Sequence, residues 1–271
     1  MPALAVEERF RSGRDLYGDD FDAEAIAAWF KDEEHAYANM WHDGAGEYAY
    51  HALNAWHGFR HLPKGMLGSV LAFGSAHGQE LEPLVGRLQE VTLLDSAETF
   101  ETPSIPGARV RREKASTSGD LPFGESSFDL VTCFGVLHHI PNVSHVLREL
   151  HRTLKPGGHL LLREPSTSMG DWTKARPGLT PRERGIPRAW MTDRLQQTGF
   201  LLLRSAPCHF SPLMALSNRM KFHHGSAPLV RLDAYLSRLF AWNQRYVSER
   251  AWQKFRPGSA FYVAQKVGPG G

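Results

Sequence analysis

Residues 120–165 decide the fold, and they read DLPFGESSFDLVTCFGVLHHIPNVSHVLRELHRTLKPGGHLLLREP. Within this stretch, LVTCF and HLLLR are nearly all apolar, a pattern typical of strands that are buried on both faces of a sheet. Phe128 marks the start of the first strand, and Val131 and Phe134 supply its buried part. The sequence LKPGG predicts the end of a helix, because proline and glycine stop it before the next strand.

The same alternation continues on both sides of this stretch. Short apolar runs recur with helical patterns between them: GSVLAF, EVTLLD and ARVRRE before it, and GFLLLRS and SAFYVAQKV after it. Strands that alternate with helices indicate βαβ units and a parallel sheet. We therefore expect an α/β protein with a Rossmann-like, seven-stranded, mostly parallel sheet and helices on both faces.

The chain divides into three parts by sequence pattern. Residues 1–65 place aromatic and aliphatic side chains at helical spacing, which predicts a helical N-terminal cap. Residues 66–207 and 259–268 carry the predicted strands and form the core. Residues 208–258 are rich in arginine, histidine and aromatic residues and are too long for a simple hairpin loop. We expect them to form a helical insertion before the last strand.

Composition excludes several kinds of partner. The 271 residues include 31 Lys and Arg against 29 Asp and Glu, so the net charge of +2 provides no electrostatic basis for binding nucleic acid. No apolar stretch approaches the roughly 20 residues of a membrane-spanning helix. The cysteines, Cys133 and Cys208, are too few for a disulfide framework and fit a reducing compartment. We expect a cytoplasmic protein without a membrane span or a nucleic-acid partner.

Residues 70–78, VLAFGSAHG, form the first predicted strand-to-helix turn. Ligands of open parallel sheets bind at the carboxyl ends of the strands, where small residues allow close approach of backbone N–H groups. The dinucleotide pattern G-x-G-x-x-G is absent, because Ala76 and Gln79 stand where the second and third glycines would follow Gly74. The next strand ends in Asp95, whose carboxylate can accept hydrogen bonds from two ribose hydroxyls. The turn therefore predicts a nucleoside site that is not a dinucleotide site.

Small residues occupy positions 74, 76 and 78. They are followed, in this order, by the motifs LPF, FDLV, LHHIP, LRELHRTLKPGG and EP. This combination resembles the class I S-adenosylmethionine-dependent methyltransferases. The likeness is to the branch that acts on small molecules. The N-terminal segments LYGDDF, AAWF, EEHAYANMW and NAWHGFRHL, with the loop that follows EP, also resemble bacterial members associated with surface-polysaccharide loci. The class I resemblance implies S-adenosylmethionine as cofactor and S-adenosylhomocysteine as product. It also implies a small polar acceptor that is methylated on oxygen, or less commonly on nitrogen, such as a sugar or glycan intermediate.

This resemblance assigns a set of residues to the cofactor. Two positions depart from the family pattern, since Ala72 replaces the usual acidic residue of the first strand and Ala76 replaces the middle glycine. An alanine methyl group narrows the loop and disfavours positive φ. The cofactor-binding residues that the resemblance implies are Phe73, Gly74, Ser75, Ala76, Gly78, Asp95, Ser96, Ser118, Gly119, Asp120 and, through its backbone, Phe134.

Methyl transfer to a hydroxyl requires alignment of the acceptor and removal of its proton. We predict His139, in the loop after the fourth strand, as the base. The alternative is that the LHHIP histidines only cap this loop. Arg163 and Glu164 end the next strand on the same edge of the sheet, and we predict that they act on the acceptor. The loop that follows them is rich in arginine and also contains Asp171 and Trp172, which suits either a charged acceptor or a lid held by internal ion pairs.

No metal site is predicted, because His51, His57 and His61 do not share one helical face and have no cysteine or acidic partner. Two other functions stay open. One is a non-methylating enzyme, such as a cyclase, that uses S-adenosylmethionine on the same fold. The other is a degenerate protein that binds the cofactor or a partner without catalysis. The oligomeric state is not predicted, and a homodimer is one alternative.

Overall fold

The computed structural model describes residues 8–40, 48–96, 102–170, 176, 179–180, 182–220 and 226–268. Asp171 and Trp172, which the sequence places in the charged loop after the fifth predicted strand, lie outside these residues.

A seven-stranded sheet forms the centre of the protein. Its strands are β1 (Leu67–Phe73), β2 (Leu88–Asp95), β3 (Arg109–Lys114), β4 (Phe128–Phe134), β5 (Leu154–Pro165), β6 (Phe200–Phe210) and β7 (Pro257–Lys266). They lie in the order β3-β2-β1-β4-β5-β7-β6. The pairings among β1 to β5 are parallel, and β7 is antiparallel to both of its neighbours. The predicted mostly parallel α/β sheet is confirmed.

Helices precede the sheet, connect its strands and separate β6 from β7. They are α1 (Ala23–Met40), α2 (His51–His57), α3 (Val143–Thr153), α4 (Arg188–Gln197), α5 (Ser211–Met220) and α6 (Ala227–Leu239). Because β6 continues to Phe210 and β7 begins at Pro257, the segment between these strands is shorter than the predicted 208–258. In the described part of the chain, no helix has both the length and the apolar character needed to cross a membrane.

Two apolar cores lie on opposite faces of the sheet. On one face, Leu162 of β5 is buried in a cluster with Leu150 of α3 and Met191 of α4. On the other face, Leu161 is buried in a cluster with Leu53 of α2. Full burial of one such side chain stabilises the fold by about 1.5–3 kcal/mol. The alternation along β5 thus places helices on both faces, as predicted.

The element after β1 differs from the expected strand-to-helix turn. It is a short 3₁₀ helix, Gln79–Leu84, with Pro83 inside it. Proline has no N–H to donate, and 3₁₀ helices rarely extend beyond a few residues. The turn after β1 therefore leads into one short helical segment that buries Leu81 and Leu84.

Candidate functional site

A cavity of about 160 Å³ lies at the carboxyl ends of β1, β2 and β4. Helix α1 contributes Phe30 and Glu33 to its wall, and the loop after β4 contributes Val136 and His139. The cavity thus lies at the edge of the sheet where the sequence predicted the cofactor. The predicted cofactor residues that line it are Phe73, Gly74, Asp95, Ser96, Gly119 and Asp120.

The turn after β1 is held by contacts that suit its small residues. Gly74 has a φ of +68°, and a Cβ at this position would overlap the methyl groups of Val136. Ser75 accepts a hydrogen bond from the backbone N–H of Gly78 at 3.0 Å. Ala76 is not among the described residues with positive φ, and its carbonyl accepts a 2.6 Å hydrogen bond from Arg112. Alanine at position 76 is therefore compatible with the turn without backbone strain.

The loop after β3 forms the opposite wall. Gly119 and Asp120 line the cavity, while Ser118 supports them by donating a 2.6 Å hydrogen bond to Asp120. This hydrogen bond, together with one from His145, lowers the pKa of Asp120. Phe134 is positioned differently, because its ring packs against Phe261 in the core of the other face. Contact between Phe134 and a cofactor stays a prediction that concerns its backbone.

Glu164 is a buried anchor for the loop after β4. Its carboxylate accepts backbone hydrogen bonds from Val136 at 2.9 Å and from Leu137 at 2.8 Å. It also lies 2.8 Å from Nδ1 of His138, whose Nε2 lies 3.3 Å from Glu183. Within the described residues, Glu164 is not part of the cavity wall. Its contacts with the loop favour a positioning role over direct action on an acceptor.

The two carboxylates keep His138 protonated. Burial alone would lower the pKa of His138, but hydrogen bonds to Glu164 and Glu183 raise this pKa to about 9. Burial opposes ionisation of Glu183 as well, yet the hydrogen bond from His138 and nearby positive charge lower its pKa to about 2. His138 is thus a buried cation that fixes the loop, as in the capping alternative considered for the LHHIP histidines.

His139 occupies a different environment, in the wall of the cavity. Its Nδ1 lies 2.9 Å from Oε2 of Glu33, a carboxylate that is only 6% exposed. The hydroxyl of Thr180 donates to the same oxygen at 2.7 Å, and Trp29 donates to the backbone carbonyl of His139 at 2.7 Å. The sequence motifs did not reveal Glu33, because it comes from a helix more than 100 residues earlier in the chain.

Arg184 joins three segments of the chain, one of which is the loop after β4 that lines the cavity. Its guanidinium is completely buried, and burial lowers its pKa to about 10, so that it stays charged at neutral pH. It donates to the carbonyls of Tyr17 at 2.8 Å, His138 at 3.0 Å and Ile140 at 2.8 Å. The N-terminal segment, the loop after β4 and the segment before α4 are therefore held together by one side chain.

Arg163 lies on the face of the sheet opposite to Glu164. It is 7% exposed, donates to Oδ1 of Asn54 in α2 at 3.2 Å, and lies 4.1 Å from the centre of the Tyr50 ring. The structure thus does not bring Arg163 and Glu164 together as one acceptor site. A role of Arg163 toward the acceptor stays a prediction.

A possible metal cluster also adjoins the cavity. His138, His139 and Glu183 each offer one potential ligand atom, and these atoms lie within 4.8 Å of one another. In the structure both ring nitrogens of His138 face carboxylates, so this histidine belongs to an ion-pair network with Glu164 and Glu183. The expected absence of a metal stays a prediction.

The strand order, the glycine turn after β1 and the acidic end of β2 together define a class I methyltransferase fold. Residues 71–162 match the family described as a methyltransferase domain. The demethylmenaquinone methyltransferase of Staphylococcus epidermidis is 35% identical over 92 residues, which cover 32% of this chain and 37% of that relative. The 27-O-demethylrifamycin SV methyltransferase of Amycolatopsis mediterranei is 46% identical over 43 residues, or 16% of each chain. The chain thus spans well under half the length of these relatives.

Solved structures show the same fold. An S-adenosylmethionine-dependent methyltransferase from Mesorhizobium loti superposes with a TM-score of 0.51 at 19% identity, covering 83% of this chain and 99% of the other. The [4+2]-cyclase SpnF superposes with a TM-score of 0.50 at 18% identity, covering 83% and 86%. Residues 71–162 therefore match a methyltransferase domain, and the solved structures show that the chain has the class I methyltransferase fold. S-adenosylmethionine as the cofactor of this chain is part of the function proposed below.

The described residues fit this cofactor. Asp95 is only 6% exposed and lines the cavity, so its carboxylate is placed to accept hydrogen bonds from ribose hydroxyls. Leu121 and Ile140 provide apolar wall for a purine ring, and Gly74 and Gly135 line the cavity without side chains of their own. These residues would hold the nucleoside.

Proposed function

We propose that the chain transfers the methyl group of S-adenosylmethionine to a hydroxyl oxygen of a small polar acceptor, with His139 as the general base. The observation that carries this proposal is the pair formed by His139 and the buried Glu33 at the wall of the cofactor cavity. A carboxylate that accepts the N–H of Nδ1 fixes the ring and leaves proton transfer to Nε2. Glu33 then stabilises the imidazolium that forms.

When bound, S-adenosylmethionine supplies a methyl group on a positively charged sulfur. Asp95 and the turn at Gly74 would hold its nucleoside, and the methyl group would go to the acceptor oxygen as the carbon–sulfur bond breaks and leaves its electron pair on sulfur. The hydroxyl proton passes to Nε2 of His139. Because this displacement needs the acceptor in line with the breaking bond, most of the remaining catalysis is alignment by the cavity wall.

The proposed acceptor is a small polar molecule, and sugar hydroxyls are among the candidates. Polar side chains on the cavity wall, including Glu33 and Thr117, support a polar acceptor. The name of the Amycolatopsis relative refers to an O-demethyl compound, which agrees with transfer to oxygen. An association with surface polysaccharides stays a prediction. We also propose that residues 1–65 act as a cap over the core, because α1 supplies the partner of His139.

The test compares His139→Gln and Glu33→Gln with wild type. A panel of phenols, quinols and sugar nucleotides is first screened for release of S-adenosylhomocysteine together with a methylated product. Loss of the base should lower kcat by roughly 10²–10⁴. Affinity for S-adenosylhomocysteine, measured by calorimetry, should change less than about threefold, since neither side chain is assigned to the nucleoside. His61→Gln, which changes an exposed histidine near β1, is the matched control.

A wild-type kcat in His139→Gln would remove the base from the mechanism. If S-adenosylhomocysteine does not bind at millimolar concentration, the proposal of methyl transfer is wrong and the non-catalytic alternative is favoured. A product formed from the acceptor without methyl transfer would favour the non-methylating alternative.

A further inference from the structure

We propose that the chain has a second binding site, separate from the cofactor cavity, for the diphosphate group of a small molecule. The site is a cavity of about 390 Å³ where the carboxyl end of β5, the start of β7 and the N-terminus of α4 meet. Ser166, Arg188 and Ser259 represent these three elements in its wall. Among the residues that the structure describes, none lines both this cavity and the cofactor cavity.

The charges around the cavity favour an anion. Its wall contains five arginines and, among the described residues, one acidic side chain, Asp193. In the described part of the chain, none of these arginines has a carboxylate within ion-pair distance. An excess of positive charge in a concave, poorly solvated site attracts anions, and guanidinium groups match phosphate geometry. The arginines are Arg14, Arg188, Arg194, Arg245 and Arg256.

Arg256 provides an independent indication of a missing partner. It is only 6% exposed, and its Nη1 has no hydrogen-bond partner among the described residues. Burial lowers the pKa of Arg256 to about 10, so the side chain is still charged at neutral pH. A buried donor without an acceptor costs about 1–3 kcal/mol, and more when it is charged. A phosphate oxygen in the cavity would accept from this group and remove that cost.

The N-terminus of α4 adds backbone donors to the same wall. The helix has 10 residues, its N-cap is Pro187, and no side chain caps it. The first N–H groups of a helix have no acceptor within the helix, and the helix dipole makes this end positive. Arg188, Ala189 and Trp190, which form the first turn, all line the cavity. An uncapped helix start beside an unsatisfied buried arginine is an arrangement that suits phosphate.

The positive surface continues beyond this cavity, which points to more than one phosphate. A neighbouring cavity shares Arg188 and Gln244 with the first and adds Arg204 and Arg238. The Nε of Arg204 also lacks a hydrogen-bond partner among the described residues. Asp193 is again the single described acidic side chain in the wall. Two adjoining groups of arginines that share Arg188 suit a diphosphate better than a single carboxylate.

The test is calorimetric titration of the full chain with pyrophosphate at constant ionic strength. Wild type should bind, and Arg256→Gln and Arg188→Gln should each weaken binding about tenfold or more, the effect of losing one hydrogen bond to a charged group. Arg188→Gln keeps the test valid if the Arg256 variant misfolds. Its own fold should be unaffected, because Arg188 is partly exposed and donates only a long 3.4 Å hydrogen bond to the carbonyl of Ala241. Arg109→Gln, at the exposed β3 edge, is the control and should change affinity less than about twofold.

Wild type that does not bind millimolar pyrophosphate would overturn the proposal, as would equal weakening by the Arg109 control. Saturation with S-adenosylhomocysteine should leave pyrophosphate affinity unchanged, and competition between the two would show that the sites are not separate. Since S-adenosylhomocysteine binding by Arg256→Gln is measured in the same experiments, failure of the anion site is distinguishable from failure of the cofactor site.

Discussion

Replacement of Glu164 by glutamine should destabilise the protein through the loop after β4. The amide oxygen can keep the hydrogen bonds from Val136 and Leu137, but the amide NH₂ group then faces the N–H groups of His138. Loss of the ion pair while His138 stays buried should lower the unfolding free energy by about 3–5 kcal/mol. The pKa of His138 gives an upper figure, because its rise from 6.5 to about 9 corresponds to roughly 3 kcal/mol and is shared between Glu164 and Glu183.

The pH dependence of the unfolding free energy tests whether the pair of His138 and Glu164 is the cause. A raised pKa of His138 stabilises the fold fully below pH 6.5, and this contribution is lost as the pH rises through about 9. Urea unfolding of wild type and Glu164→Gln should therefore differ most at about pH 6 and less at about pH 10. Glu125→Gln, an exposed change near the start of β4, serves as control. Equal stability of wild type and Glu164→Gln at the lower pH, or a difference independent of pH, would refute this reasoning.

Three further changes test the cavity. Gly74→Ala should lower unfolding free energy by about 1–3 kcal/mol in urea melts, because alanine would adopt positive φ and overlap Val136; an unchanged midpoint would contradict the geometry. Asp95→Asn should weaken S-adenosylhomocysteine binding about 10- to 100-fold by calorimetry, through loss of charged hydrogen bonds to ribose, and an unchanged affinity would remove the ribose assignment. Ala76→Gly should change this affinity less than about threefold, since Ala76 does not have positive φ; a large gain in binding would show that its methyl group obstructs the loop.

The strands were predictable because buried parallel strands read as apolar runs, and the helix stop at LKPGG marked where α3 ends at Thr153. The position of the candidate cofactor cavity followed from topology alone, since Gly74 comes directly after β1 and Asp95 ends the neighbouring parallel strand β2. The separation of Arg163 from Glu164 was also present in the sequence, because successive strand residues face opposite sides of a sheet. Pro83 likewise signalled that the helix after β1 is short.

Other parts of the site could not be predicted from local pattern. The pairing of Glu33 with His139 joins an amphipathic N-terminal helix to a loop more than 100 residues away, and nothing in either stretch specifies the other. The inward orientation of Glu164 depends on three backbone N–H groups that converge only after the loop has folded. Such contacts are properties of tertiary structure, whereas periodicity reports only which face of an element is buried.

The carbonyl contacts of Arg184 link the N-terminal segment to the response of the cavity to a bound nucleoside. The same guanidinium binds the carbonyl of Tyr17 and two carbonyls of the loop that lines the cavity, so it couples the position of the N-terminal segment to that of the loop. Thermodynamic reciprocity then requires that a ligand which stabilises the folded conformation of the loop also stabilises that of the N-terminal segment. A bound nucleoside should accordingly slow proteolysis and hydrogen exchange around Tyr17, a position that does not belong to the cavity wall.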